Sequence, residues 1–227
     1  MLLHDVSRPS VQFLRAQPWF APLSEDERTR VAGHAYTLQG NKGDVMLHAG
    51  EEVKGWYAVL SGLVKIQSQS AEGRLAAFMG IPAGEWLGGG SVMKQEPRRY
   101  DVIALRETEL LCLPRAEFEA LRETSLAFNH ALADHLNLRL GQAMAIIEAG
   151  RIRSPEQRVA LSLSRMFWHG RRSVHLSQEE LGILAGLSRQ TVNGVLKDLE
   201  RQGIVTLESG RVGIADESRL MAMLDDQ

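Results

Sequence analysis

Two hydrophobic periods that no single kind of element can satisfy share this chain of 227 residues, and the change between them near Glu117 is its strongest constraint on fold. From about Ala35 to Leu113 the sequence runs in short β-type stretches broken by glycine, at 44–48, 55–60, 63–67, 75–79, 102–105 and 110–113. Closely spaced strands with turns between them predict a small antiparallel sandwich or roll, not alternating βαβ units. Gly43, Gly50, Gly62 and Gly73 fall where turns need backbone angles that side chains resist. From Glu117 to Arg151 the period lengthens. Leu126, Ala133, Leu140 and Ile147 repeat every seven residues, and Asn129, Leu136 and Ala143 follow the first three at three positions. This predicts a long helix with an imperfect heptad seam, and dimerisation through Leu126, Ala133, Leu136, Leu140 and Ile147. The alternative is one helix packed on its own sheet.

A further helix is signalled at Ser154-Pro155-Glu156-Gln157, with serine as cap, proline at the first helical position and glutamine placed to reach back. The expected class is α+β in three parts: a β-roll with an N-terminal helical segment over 1–122, the seam helix over 123–151, and a separate domain over 152–227.

Composition excludes several classes. With 44% hydrophobic residues the chain can build a core, so disorder is excluded. Its single cysteine, Cys112, rules out an internal disulfide and four-cysteine ligation of a metal or cluster, which suits a cytoplasmic setting. The first residues carry no basic leader with an apolar run, so no signal peptide is expected. The most apolar stretch, 75–93, contains Pro82, Glu85 and five glycines and does not read as a membrane span. The net charge of −2 conceals an asymmetry. Residues 1–150 hold 15 basic against 18 acidic side chains, and residues 151–211 hold 10 against 6, a local excess of four positive charges.

That basic segment contains the most specific motif. Ser177 with Glu180 forms a capping-box pattern opening a short helix at Gln178 that buries Leu181, Leu184 and Ala185. Gly186 supplies a turn, and Ser188 caps a second helix whose Val192, Val195, Leu196 and Leu199 recur at helical spacing until Gly203. Two short helices joined by a glycine turn have the geometry of a DNA-binding helix-turn-helix. Arg189 and Gln190 lie on the first turn of the second helix, where arginine suits guanine and glutamine suits adenine in the major groove. Ser188 and Thr191 suit phosphate oxygens, and Asn193 and Lys197 extend the exposed face. Residues 204–207 and 211–214 flank Glu208-Ser209-Gly210 and read as a hairpin wing. The plain alternative is a helical hairpin with solvated polar faces.

A second constellation is Gly84-Glu85-Trp86-Leu87-Gly88-Gly89-Gly90-Ser91, followed by Arg98-Arg99-Tyr100. Clustered glycines admit close backbone approach to a phosphate, an arginine supplies charge-assisted bonds, and a carboxylate accepts from ribose hydroxyls. Gly84, Glu85, Gly88, Gly89, Ser91, Arg98 and Arg99 are the candidate effector residues. A phosphate-binding P-loop is excluded by the missing Gly-Lys-Ser/Thr ending. A glycine-rich turn beside a surface arginine pair is the alternative.

Over nearly its full length the chain resembles the cyclic-AMP receptor protein / fumarate–nitrate regulator (CRP/FNR) superfamily of bacterial transcription factors. The resemblance rests on Gly43, Gly50 and Leu60-Ser61-Gly62, the Gly84-Glu85 cassette, the helix ending near Gly150-Arg151-Ile152, and Leu187-Ser188-Arg189-Gln190-Thr191-Val192. It implies a cyclic-nucleotide-binding-type β-roll, a dimerising helix and a C-terminal winged helix-turn-helix. It also implies a homodimer on palindromic double-stranded DNA and RNA polymerase as protein partner. By this likeness Glu85 takes the place of a ribose-binding glutamate, and Arg98 or Arg99 that of a phosphate-binding arginine. Arg189 takes the place of a guanine reader.

The sequence departs from the family pattern at several of these positions. Arg99 or Tyr100 stands where serine or threonine follows the arginine, and Leu136-Asn137 replaces an adenine-contacting Thr-Ser pair. Gln190 replaces a frequent glutamate, and Gly194 replaces an arginine. The first two of these departures count against cyclic AMP; the resemblance implies a cyclic nucleotide as candidate effector, with another nucleotide, a different small molecule or no ligand as alternatives. No N-terminal cysteine cluster exists for iron–sulfur ligation, and His4, His34 and His48 show no haem-ligand pattern, so neither group nor any other metal site is expected. No second carboxylate or metal cluster accompanies Glu85, so an enzyme is not expected. The alternative function is a nucleotide-binding module, or a regulator without ligand control.

Overall fold

Glycine punctuation sets the strand ends of the computed structural model, which describes residues 3–5, 8–70, 72–73, 75–164, 173–174, 176–208 and 211–225. At Gly62 the backbone adopts φ 91° between β4 (Gly55–Ser61) and β5 (Leu63–Gln69). A β-carbon there would press on the Glu107 carbonyl and the Cα of Thr108, so only glycine makes this turn without strain.

The remaining N-terminal elements are β1 (Leu3–Asp5), α1 (Arg8–Arg15), α2 (Glu25–His34), β2 (Tyr36–Gly40), β3 (Val45–Leu47), β6 (Leu75–Pro82), β7 (Trp86–Leu87), α3 (Gly89–Lys94), β8 (Asp101–Ala104), β9 (Thr108–Pro114), α4 (Arg115–Thr124) and α5 (Leu126–Ile152). They build a five-stranded sheet, β1-β2-β9-β4-β7, and a four-stranded sheet, β3-β8-β5-β6. The β2–β9, β4–β9 and β5–β8 pairs are antiparallel, as the strand spacing predicts. The strand periods of β4 and β9 carry few polar residues because both sit inside a sheet and are buried on two faces.

By packing, the chain divides into two compact units, residues 1–76 with 80–140, and residues 77–79 with 141–227. The core of the first is aromatic. Trp19, Phe20, Trp56, Trp86, Phe118 and Phe128 cluster with Leu111, Leu113 and Leu132, and Trp56 stacks on Trp86 at 4.1 Å between ring centroids. Phe128 and Leu132 come from α5, so the first two turns of that helix belong to this core.

The second unit holds the rest of α5, then α6 (Pro155–Leu163), β10 (Ser173–Val174), α7 (Gln178–Ala185), α8 (Arg189–Arg201), β11 (Val205–Glu208), β12 (Arg211–Ile214) and α9 (Glu217–Asp225). Capping boxes expected at Ser154 and Ser177 are formed, each with its third helical residue, Gln157 or Glu180, bonded back to the cap amide. Strands β10, β12 and β11 make a three-stranded antiparallel sheet, so the wing hairpin gains an extra strand. The expected wing-turn residues Ser209 and Gly210 lie outside the described residues. Val159, Leu163, Leu181, Val192, Val195, Leu196, Leu199 and Leu220 form its buried interior. Among the described residues no helix is long and apolar enough to cross a membrane.

Candidate functional site

Helix α8 is aimed by its neighbours. Gly186 ends α7 in the left-handed region, φ 64°, and Gly182 lets the chain double back so closely that a β-carbon would sit 2.8 Å from the Leu187 carbonyl oxygen. Arg158 of α6 donates from Nη2 to the Gly186 carbonyl at 3.1 Å, fixing the turn from outside. Ser188 Oγ then accepts from the Thr191 amide at 3.1 Å and shares a hydrogen bond with the Thr191 hydroxyl at 2.8 Å. Buried Val192, Val195, Leu196 and Leu199 press one face of α8 inward, which leaves Arg189, Gln190, Gly194 and Lys197 exposed.

Asn193 sits differently from those residues. It is half-buried, and its side-chain oxygen accepts from Gln178 Nε2 at 3.2 Å, so it ties α8 to α7. At the far end Glu200 accepts from the Leu207 amide at 3.1 Å and joins α8 to the wing strand. The first turn of α8 therefore presents an arginine and a glutamine, with two hydroxyls at the cap, on a helix held on three sides. Such a surface can read base edges and hold phosphate oxygens.

The glycine cassette lies in the first unit. The Gly84 amide donates to Val59 at 2.8 Å, Val59 donates to the Glu85 carbonyl at 2.9 Å, and β7 pairs with β4 through Tyr57 and Ala58. Gly88, at φ 82°, turns the chain into α3, a short helix inside what sequence alone presents as a loop. Gly89 is buried, and a β-carbon on it would lie 3.3 Å from the Trp56 indole nitrogen. Ser91 is half-buried on α3, and Gly84 is exposed.

Sequence cannot separate Arg98 from Arg99, and the structure does. Arg99 is exposed and pairs with Glu96 at 2.9 Å. Arg98 is only 3% exposed, with its backbone pinned by Gly50 at 2.7 Å and Glu51 at 2.9 Å. Its guanidinium lies over the Tyr57 ring, 5.4 Å from the centroid, and its Nη1 has no hydrogen-bond partner among the described residues. Burial pulls its pKa below the ordinary guanidinium value.

Glu85 is buried as expected of a binding carboxylate, but it is engaged. Arg139 of α5 donates from Nη2 to Glu85 Oε2 at 2.7 Å and to the Trp86 carbonyl at 2.8 Å. Burial lowers the Arg139 pKa, and Glu85 opposes that shift. Arg139 belongs to none of the sequence motifs; its signal is that it is the only lysine or arginine between Leu126 and Gly150. On the same helix Leu126, Ala133, Leu140 and Ile147 are exposed, whereas Leu136 is partly buried against the aromatic core. Among the described residues no group of three or more His, Cys, Asp or Glu side chains could hold a metal ion.

Residues 39–125 match the cyclic nucleotide-binding domain family, and residues 157–223 match the Crp-like helix-turn-helix domain family. The chain is 27% identical over 208 residues to the cyclic AMP receptor protein of Thermus thermophilus, covering 91% of this chain and 96% of that one. It is 29% identical over 199 residues to a CRP-like cAMP-activated global transcriptional regulator of Mycobacterium tuberculosis, 83% of each. Among solved structures, FixK2 of Bradyrhizobium japonicum superposes with a TM-score of 0.71 at 20% identity, covering 83% of this chain and 96% of that one. Both domain types occur here in the order and spacing that the roll, long helix and winged helix-turn-helix require, so the chain belongs to the CRP/FNR superfamily of DNA-binding transcription regulators.

Proposed function

We propose that the protein works as a homodimeric, sequence-specific regulator, with a sensing roll over 1–122, a dimerising helix over 123–151 and a DNA-reading domain over 152–227. The observation that carries this reading is the exposed Arg189-Gln190 pair on the first turn of a capped helix whose opposite face is buried. Arg189 and Gln190 read base edges, Ser188, Thr191 and Lys197 hold the phosphate backbone, and Asn193 sets the angle of α8 against α7. Two copies joined through α5 would place their reader helices on half-sites about one DNA turn apart. RNA polymerase is the proposed protein partner, on the strength of family membership, and the cytoplasm the proposed location. No catalytic role is assigned.

The roll is the proposed effector site, and effector occupancy shifts the balance between dimer states of different DNA affinity. A cyclic nucleotide presents a phosphate anion and ribose hydroxyls. Arg98, buried with a donor to spare, fits the first. Glu85, a buried carboxylate held by Arg139 at Oε2, has the acceptor chemistry for the second. A cyclic nucleotide bound here would be held by Arg98 at its phosphate and by Glu85 at its ribose hydroxyls.

Selection of bound sequences from a random DNA pool by the full chain tests the reading. A palindrome with half-sites about ten base pairs apart is expected; recovery of sequences without a shared half-site would sink it.

A further inference from the structure

We infer that the C-terminal helix α9 is a strap that fixes the angle at which the DNA-reading helices leave α5, with Arg153 and Gln157 as positioning residues, an inference that rests on α5 being the dimer helix and α8 the reader. Helix α5 ends at Ile152 and α6 begins at Pro155, so two residues, Arg153 and Ser154, make the whole connection. The Arg153 amide still donates to the Ala149 carbonyl at 3.3 Å, and Ser154 turns to extended backbone, φ −64° and ψ 162°, as the cap of α6. A turn made at one extended residue leaves the angle between two helices to a pair of soft torsions. Side chains supply the constraint that the backbone lacks.

Arg153 reaches in two directions. Its Nη2 meets Glu148 Oε1 of α5 at 3.3 Å, and its Nη1 donates to the Leu224 carbonyl of α9 at 2.9 Å. Gln157 of α6 divides its amide in the same way: Oε1 accepts from the Ser154 amide at 3.1 Å, closing the capping box, while Nε2 donates to the Met223 carbonyl at 3.1 Å. Met223 and Leu224 stand on the last turn of α9, where carbonyls lack partners within their own helix and carry the negative end of its dipole. A guanidinium and an amide are the donors that such an end takes up. Helices α5, α6 and α9 are thereby tied at one place, and the Arg153 side chain, 16% exposed, is less screened by salt than a surface pair. Helix α9 also packs on α6, with Leu220 fully buried, and α6 packs on α8, so an angle fixed here carries to the reader. In a dimer that angle sets the distance between the two copies of α8, and leaves untouched which bases each of them reads.

Binding of the full chain to palindromes of its selected half-site, with the spacer between half-sites changed one base pair at a time, tests this. The wild-type chain should favour one spacer by at least about tenfold over spacers one base pair longer or shorter, since each base pair moves a half-site by roughly 3.4 Å. Arg153→Met combined with Gln157→Glu removes both donations to α9, while the glutamate keeps the capping box of α6. This double variant should select the same half-site sequence, with its preference among spacers reduced to within about threefold. Arg153→Lys alone, which keeps a charged donor for the Leu224 carbonyl, should retain the wild-type spacer. A double variant that still favours one spacer about tenfold would overturn the inference, and so would one that loses affinity for every spacer alike, which is the mark of a merely structural tie. A wild-type chain that selects a half-site but accepts all spacers equally would also overturn it, leaving the regulator reading in place; one that selects no shared half-site would overturn both.

Discussion

Cys112 shows how far a side chain's neighbours decide its chemistry. It lies opposite Tyr36 on one side and Tyr57 on the other in the strand register, and it is fully buried. Burial pushes its thiol up to about 11, which leaves almost no thiolate at neutral pH. Native protein should therefore resist a thiol-reactive chromophore that labels the unfolded chain at once; rapid stoichiometric labelling without denaturant would contradict this. Glu117 of α4 runs the other way. Burial would raise its pKa, but Arg30 at 2.7 Å and His34 at 2.6 Å outweigh that and hold it below its ordinary value of 4.5. A depressed carboxyl stabilises the fold above its unfolded pKa and loses that contribution as pH falls through the folded one. Glu117→Gln should cost about 1–3 kcal/mol at neutral pH by urea unfolding, with the gap from wild type closing as the solution is acidified below the usual carboxylate range. At the proposed DNA surface, Arg189→Ala should relax base preference by about 1–3 kcal/mol per half-site, whereas Lys197→Ala should weaken all sequences alike and reduce the salt slope by about one. Equal effects of both on selected and random DNA would remove the distinction between reader and anchor.

Polar punctuation makes two helix starts legible in the sequence. Ser154-x-x-Gln157 and Ser177-x-x-Glu180 each announce a start, because a cap and its reciprocal partner must sit three residues apart to meet. Strands β4, β5, β6, β8 and β9 were legible to within one to three residues at their ends, whereas the two-residue strands β7 and β10 were not. Helix α3 was not, because Gly88, Gly89 and Gly90 have no helical propensity to show and the element is held by its place between β7 and β8. Arg139 was illegible for another reason: its partner is 54 residues away, and periodicity carries no information about which polar residue crosses to which sheet. The turn between α7 and α8 combines a local and a tertiary cause. Gly186 needs φ 64°, and a β-carbon there would lie 2.6 Å from Arg158 Nη2. Gly186→Ala should therefore destabilise the protein by about 1–2 kcal/mol from the left-handed backbone alone, read as a lower urea midpoint with unchanged slope. An unaltered midpoint would show that the turn tolerates another geometry.

Charge and apolar exposure acquire meaning only when placed along the chain. The total of −2 hides four excess positive charges over 151–211, the segment that contains α8, so affinity for DNA should fall steeply with salt despite the acidic sum. The apolar counterpart is α5, where Leu126, Leu140, Met144, Ile147 and Ile152 are 52–72% exposed. A stripe of leucine, methionine and isoleucine at heptad and neighbouring positions is an expensive surface for a soluble monomer, at about 25 cal/mol for each Å² left in water. A second copy of α5 is the occupant that a self-complementary seam of this kind fits. Light scattering should give twice the chain mass, and Leu140→Glu combined with Ile147→Glu should halve it while leaving the far-ultraviolet circular dichroism intact. Because two half-sites then bind independently, affinity for a palindrome should drop by about 100-fold or more. A double variant that stays dimeric would move the interface away from α5. One that becomes monomeric yet keeps full affinity would show that each α8 reads its half-site alone.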